Sequence, residues 1–317
     1  MKRVILGNCG LEVSRLGMGV MPVGPNQLSL PLDEGAAVVR YALEAGIDFL
    51  DTAQYYHTYP YIKEALRGGH RRPVISSKSL APDRRGMERA IEEARLALDL
   101  DVIDIFLLHE VRSGDFAVRI GAWEALQEAK ARGLVRAIGV STHNVDVTAA
   151  MAAEDECDVV FPLINYAGLG IRNGSGPGTA ADMLDAICAC HAAGKGVYAM
   201  KVFGGGNLTV SYQRALDFVC AQDAIDALMI GFGSRADVDD ALAYIEGRMP
   251  AGYNPDVSQK KMIVEQTNCE GCGSCMSMCQ SEAIFFNDRG LAQIDRSRCL
   301  TCGYCAPVCP SRAIIMY

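Results

Sequence analysis

Short apolar runs and longer amphipathic stretches alternate along most of this chain. The runs at 15–19, 47–50, 74–78, 103–108, 135–140, 159–164, 197–201 and 227–230 are rich in aliphatic residues and bounded by polar or turn residues. They read as strands. Between them, the stretches at 33–45, 60–66, 87–98, 121–132, 145–153, 180–193, 212–220 and 236–244 repeat apolar residues three and four positions apart, the period of one helix face. Asp33 is expected to cap the first of these helices and Gly133 to close the one at 121–132. Ahead of the first strand, residues 2–13 predict a hairpin that turns at Gly7, Asn8, Cys9 and Gly10. Eight strand-plus-helix units are the count of a closed (β/α)8 TIM barrel, an α/β fold. No GxGxxG opens a helix after a strand, which disfavours an open dinucleotide-binding sheet.

The alternation stops at 247–261, where Pro250, Gly252, Asn254 and Pro255 read as a linker. Residues 262–317 carry a different signal. Cys269, Cys272, Cys275 and Cys279 follow one spacing, and Cys299, Cys302, Cys305 and Cys309 repeat it, the second copy ending in Pro310. Three thiolates two residues apart can wrap one cubane cluster, while the fourth begins a helix aimed at the other cluster. The spacing therefore assigns Cys269, Cys272, Cys275 and Cys309 to one [4Fe-4S] cluster and Cys299, Cys302, Cys305 and Cys279 to a second. Zinc would use the same thiols, but zinc motifs rarely run three cysteines at this spacing twice. The tail resembles the bacterial two-cluster ferredoxins, which implies low-potential, one-electron carriers. The expected organisation is a barrel over 1–246, a linker over 247–261 and a small α+β ferredoxin-like domain over 262–317.

Composition narrows the setting. Half of the 317 residues are hydrophobic, enough for a large core, and the formal net charge is −8. An acidic chain without a basic cluster is not expected to bind nucleic acid, and it suits docking on a basic external redox protein. No apolar run approaches the ~18 residues of a membrane span, and no signal peptide is legible, so a cytoplasmic protein is expected. Five of the thirteen cysteines lie outside the paired motif and are scattered, as reduced thiols would be.

Active sites of such barrels are built at the C-terminal ends of the strands. Asp51, Tyr56, Lys78 and His109 fall at or just beyond three successive strand ends. Each alone could be a cap, a core residue or a solvated charge. Together, in GIDFLDTAQYY, VISSK and DVIDIFLLH, they resemble the catalytic tetrad of the aldo-keto reductases, as do LGNCGLEVSRLGMGVM, GVSTHN and IGFGSRADVDDAL elsewhere. The whole chain is similar to the subgroup of that family with a C-terminal two-cluster domain. The resemblance implies that Tyr56 protonates a carbonyl oxygen as hydride reaches its carbon. Lys78 would acidify the phenol, Asp51 would hold Lys78, and His109 would orient the carbonyl.

The resemblance also implies a nicotinamide held by Ser141, Thr142, Asn165 and Lys201, with Gly231, Ser234 and Arg235 nearer the phosphates. Here the pattern departs from the family. Thr142 replaces an asparagine, Phe161 stands for a glutamine, and Met200 for the aromatic residue on which the ring stacks. Asp237 would repel a 2′-phosphate, favouring NADH over NADPH. The glycines at 204–206 would either admit a pyrophosphate or form a flexible loop. The short loop at 110–119 would leave the mouth open to a bulky substrate, although the second domain could form one wall. Three readings follow: a nicotinamide-dependent carbonyl reductase or alcohol dehydrogenase coupled to the clusters, a cluster-driven reductase without nicotinamide, and a non-enzymatic electron-transfer subunit. Two low-potential clusters also suggest an oxygen-poor setting.

Overall fold

The computed structural model describes residues 1–317 except 68, 70, 71, 257–260, 280, 281, 300–304, 307, 312 and 317. Eight parallel strands, β1 (Leu16–Gly19), β2 (Phe49–Asp51), β3 (Val74–Ser79), β4 (Ile103–Leu108), β5 (Val135–Thr142), β6 (Val159–Pro162), β7 (Gly196–Ala199) and β8 (Ala227–Gly231), close a barrel in sequence order. The ring shuts where Leu228 and Met229 register with Leu16 and Gly17. Strand alternation sends one set of side chains inward. Phe49, Ile105, Leu107, Val159, Phe161 and Tyr198 fill the lumen together with Leu6, Leu11 and Val13 of the N-terminal hairpin, whose strands are Arg3–Ile5 and Glu12–Ser14. The hairpin thus plugs the N-terminal end of the barrel, where Asn8 N donates to Gly194 O at 2.9 Å.

The other strand face packs on a ring of helices: α1 (Leu32–Glu44), α2 (Tyr59–Leu66), α3 (Arg84–Leu98), α4 (Ile120–Ala131), α5 (Val145–Met151), α6 (Ala180–Ala192), α7 (Tyr212–Cys220) and α8 (Arg235–Ile245). Asp33 does not cap α1. Pro31 does, because its restricted φ holds an extended backbone immediately before the first turn. Asp33 and Glu34 lie in that turn instead, where the exposed N–H groups favour negative charge. Between β6 and α6 the chain makes an unanticipated small hairpin, Arg172–Asn173 with Gly176–Pro177.

In the C-terminal segment, β9 (Met262–Val264) pairs antiparallel with β12 (Ile314–Met316), and β10 (Ile284–Phe286) with β11 (Ala292–Ile294). The first pairing ties the two ends of the segment together around a core of Met262, Val264, Ile284, Ile294, Ala313 and Ile314. The helical turns expected after the cysteine triplets are, among the described residues, tight turns: Met276 N donates to Gly273 O and Cys279 N to Met276 O. The segment lies across the C-terminal mouth of the barrel. Met316 N donates to Gly205 O at 2.6 Å, and Asn207 Nδ2 reaches Ile314 O at 3.3 Å. Among the described residues, no helix is long and apolar enough to cross a membrane.

Candidate active site

At the barrel mouth, β2 ends in Asp51, β3 carries Lys78, and His109 follows β4 directly. Tyr56 is delivered by the single helical turn Gln54–Tyr56 after β2. Lys78 Nζ donates to Asp51 Oδ2 at 2.6 Å and to Thr52 O at 2.8 Å, with Lys78 only 2% exposed and Asp51 4%. Ser76 Oγ donates to Asp51 Oδ1 at 3.2 Å and also meets Tyr198 Oη at 2.9 Å, which anchors the pair to the lumen. The Lys78 ammonium lies 4.7 Å from the Tyr56 ring centre, and Tyr56 Oη lies 3.4 Å from His109 Nε2. The four residues named from sequence therefore form one contiguous group.

Burial dominates the electrostatics of that group. Burial pushes the Tyr56 phenol well above its ordinary value, and the carboxylates of Asp51, Glu265 and Glu110 push the same way. Burial opposes charge on both members of that pair, raising Asp51 and lowering Lys78, while their mutual attraction resists. Burial and nearby cations hold His109 well below the ordinary histidine value, so its ring is neutral at neutral pH. Its Nδ1 is buried with no hydrogen-bond partner among the described residues.

These groups line a cavity of about 430 Å³, within the range of small-molecule sites. Its roof is the C-terminal segment, including residues 263–268, 315 and 316. The mouth is not left open after His109: the loop there folds back, and Arg112 Nη2 donates to Thr267 O at 2.9 Å. Lys201 Nζ is held by both oxygens of Glu265, at 2.8 and 2.9 Å, and Arg172 pairs with Glu270 at 2.8 Å. The glycines at 204–206 do receive a close backbone, but it is that of β12. A Cβ on Gly206 would come within 2.2 Å of Met316 O.

The aldo/keto reductase family model matches residues 15–246, and a 4Fe-4S dicluster domain model matches 268–313. The chain belongs to the aldo/keto reductase family. It is 26% identical over 217 residues to the L-galactose dehydrogenase of Arabidopsis thaliana, covering 64% of this chain and 66% of that one. It is 27% identical over 237 residues to the D-threo-aldose 1-dehydrogenase of a Pseudomonas species, covering 64% and 69%. The chain thus spans about two thirds of the length of these curated relatives. Its fold matches the holo form of an aldo-keto reductase from Bacillus halodurans with a TM-score of 0.64 at 19% identity, over 78% of this chain and 91% of that one.

Against this family background, the residues expected at a nicotinamide are dispersed. Ser141, Thr142, Lys201 and Gly231 line the cavity, whereas Asn165, Ser234 and Arg235 do not. Asn165 is spent on its own loop, with Nδ2 donating to Leu169 O and Oδ1 accepting from Leu169 N, both at 2.9 Å. Arg235 lies over the Tyr41 ring, 5.2 Å from its centre. Ser234 caps α8, and the Asp237 carboxylate accepts from Gly233 N and Ser234 N at 2.9 and 3.0 Å. A helix N-terminus can bind phosphate, but here the Gly233 and Ser234 N–H groups just ahead of it already serve a carboxylate. At the floor, Phe161 stacks on Tyr198 with centroids 4.3 Å apart. Sequence reasoning missed Glu110 and His143, which lie just beyond barrel strand ends, and Glu265 and Asn268, since no spacing rule links a second domain to a barrel mouth.

The cysteine chemistry fits iron–sulfur ligation. Burial raises the Cys275 thiol, and Cys309, Cys269 and Cys272 raise it further. Backbone N–H groups point at sulfur: Ala283 at Cys279 (3.2 Å), Ala313 at Cys309 (3.3 Å) and Ala292 at Cys269 (3.4 Å). Such hydrogen bonds to sulfur tune cluster potentials. The first two repeat the same step, four residues beyond the cysteine, as the internal duplication requires. Cys299 and Cys305 lie in the same segment, and Cys302 falls outside the described residues.

Proposed function

We propose that this chain is an oxidoreductase that interconverts a small carbonyl compound and its alcohol, with Tyr56 as proton donor and acceptor. The observation that carries the reading is the buried Lys78–Asp51 pair beside Tyr56 and His109 on the floor of a cavity roofed by a dicluster domain. The Tyr56 phenol is fully protonated at neutral pH, as a proton donor must be. Neutral His109 presents Nε2 to the same point and orients the oxygen that Tyr56 protonates. Lys78, fixed by Asp51 and Thr52, stabilises the phenolate left when that proton departs. Cys269, Cys272, Cys275 and Cys309 would hold one [4Fe-4S] cluster, and Cys299, Cys302, Cys305 and Cys279 the second; when bound, clusters exchange single electrons. Tyr56→Phe is expected to cut carbonyl reduction by about 10²–10⁴-fold while leaving cluster absorbance intact. Turnover retained in that variant removes the assignment.

The family implies a nicotinamide, and between the two, Asp237 favours NADH, because a carboxylate repels a 2′-phosphate. A second reading, reduction by electrons from the clusters without nicotinamide, is favoured by one observation: Asp237 already takes the Gly233 and Ser234 N–H groups just ahead of α8. An anaerobic titration of the cluster-loaded protein with NADH and NADPH separates the two. Saturable binding with NADH the tighter supports the first reading, while no binding together with turnover on reduced viologen supports the second. The protein's location in the cell and any external redox protein belong to the same proposal, which expects a cytoplasmic, oxygen-poor setting.

A further inference from the structure

Beyond the Lys78–Asp51 pair, the residues lining the cavity include Glu110, Asp237, Asp240 and Glu265, of which Glu110 pairs with Arg112 at 3.0 Å. Among the described residues lining it, one further ammonium, Lys201, opposes them. Lys201 stands at φ 59, a left-handed backbone uncommon outside glycine, which aims its side chain at the roof. There Glu265 grips it with both oxygens, only 8% of that side chain remaining exposed. Glu265 is itself held in place, since Asn268 Nδ2 donates to Oε2 at 3.0 Å and Glu265 N donates to Ala313 O at 2.7 Å. His143, which also faces the cavity, is pushed down to about 3 by burial and by the cations Lys201, Arg112 and Arg172, so it adds no positive charge at neutral pH.

We propose that Glu265, supplied by the dicluster domain, sets substrate choice in the barrel by cancelling Lys201, so that the site takes neutral carbonyl compounds and rejects those bearing a carboxylate. The inference rests on the carbonyl-reducing reading above and narrows it to a substrate class. A carboxylate entering this cavity meets fixed negative charge and finds its one suitable ammonium already paired. Repulsion of that kind selects by exclusion rather than by new contacts. Removing the Glu265 charge leaves a partly buried ammonium without its hydrogen-bonded carboxylate, and an anionic ligand would then take that place.

The test uses the cluster-loaded full chain and two aldehydes of similar shape, benzaldehyde and 4-carboxybenzaldehyde, with binding measured by equilibrium dialysis. The wild type is expected to prefer benzaldehyde by about tenfold or more, and Glu265→Gln to reduce or reverse that preference by at least about tenfold. Lys201→Met keeps the exclusion, and the double variant loses the gain seen in Glu265→Gln. A wild-type preference for the carboxylate, an unchanged ratio in Glu265→Gln, a gain surviving in the double variant, or binding of neither aldehyde overturns the proposal. Turnover in Tyr56→Phe, measured with the same two aldehydes, judges the catalytic reading separately, because the binding ratio does not depend on proton transfer.

Discussion

Lys78 and Asp51 occupy nearly dry positions 2.6 Å apart, so each is tolerated because of the other. Lys78→Met strands a buried carboxylate and is expected to destabilise the fold by about 3–5 kcal/mol, with some of the loss recovered in Lys78→Met/Asp51→Asn. Urea unfolding of the two variants checks this, and equal losses in both would show that the stranded charge is not the cause. The histidines make a pH prediction. His143 is held at about 3 and His109 well below the ordinary value, so the folded state binds fewer protons than the unfolded chain once pH falls below ~6.5. Their contribution is therefore complete above that value and is lost as pH falls toward the folded values. From pH 7 to pH 5 the cost is up to about 2 kcal/mol per histidine. His143→Asn should flatten the stability profile over that interval, measured against the wild type at matched pH.

Elements place these residues, and their packing leaves little slack. Gly139 in β5 passes so close to β6 that a Cβ would come within 1.8 Å of Val159 O. Gly139→Ala must force apart the paired strands β5 and β6 of a closed barrel and is expected to cost more than the about 1–3 kcal/mol of ordinary overpacking. A soluble variant with a wild-type melting temperature would contradict that packing. Gly206 makes a similar demand between domains, at φ 87 and against Met316 O. Gly206→Ala should unseat β12 while leaving the barrel folded. Hydrogen exchange would show this as faster exchange of the Met316 amide, which donates to Gly205 O.

At the scale of the whole molecule, the dicluster domain roofs the cavity at the barrel mouth. Its Glu265 carbonyl accepts from Cys269 N at 3.1 Å, while its carboxylate holds Lys201 in the cavity, so a proposed cluster ligand lies only one turn of chain from the substrate space. Deleting 248–317 removes the roof and is expected to weaken binding of a neutral aldehyde. Unchanged affinity after that deletion would mean that the floor alone binds.

Much of this was legible in the order of residues. The periods of 2 and 3.6 marked eight units because each strand and helix must bury a face, and burial imprints its period on the chain. The tetrad was legible because Asp51, Lys78 and His109 each sit at or just beyond a strand end, where barrel topology brings distant residues together. The cysteine triplets were legible because cluster ligation constrains spacing locally. By itself, then, the sequence determined the barrel, the residues gathered at the floor of its cavity and the thiols of its second domain. Only the tertiary structure decided how the two domains meet. It seated β12 on the glycines at 204–206, turned Glu265 onto Lys201, and closed a mouth that the short loop alone would have left open. Those contacts join residues far apart in the chain through surface complementarity, and no local period records complementarity.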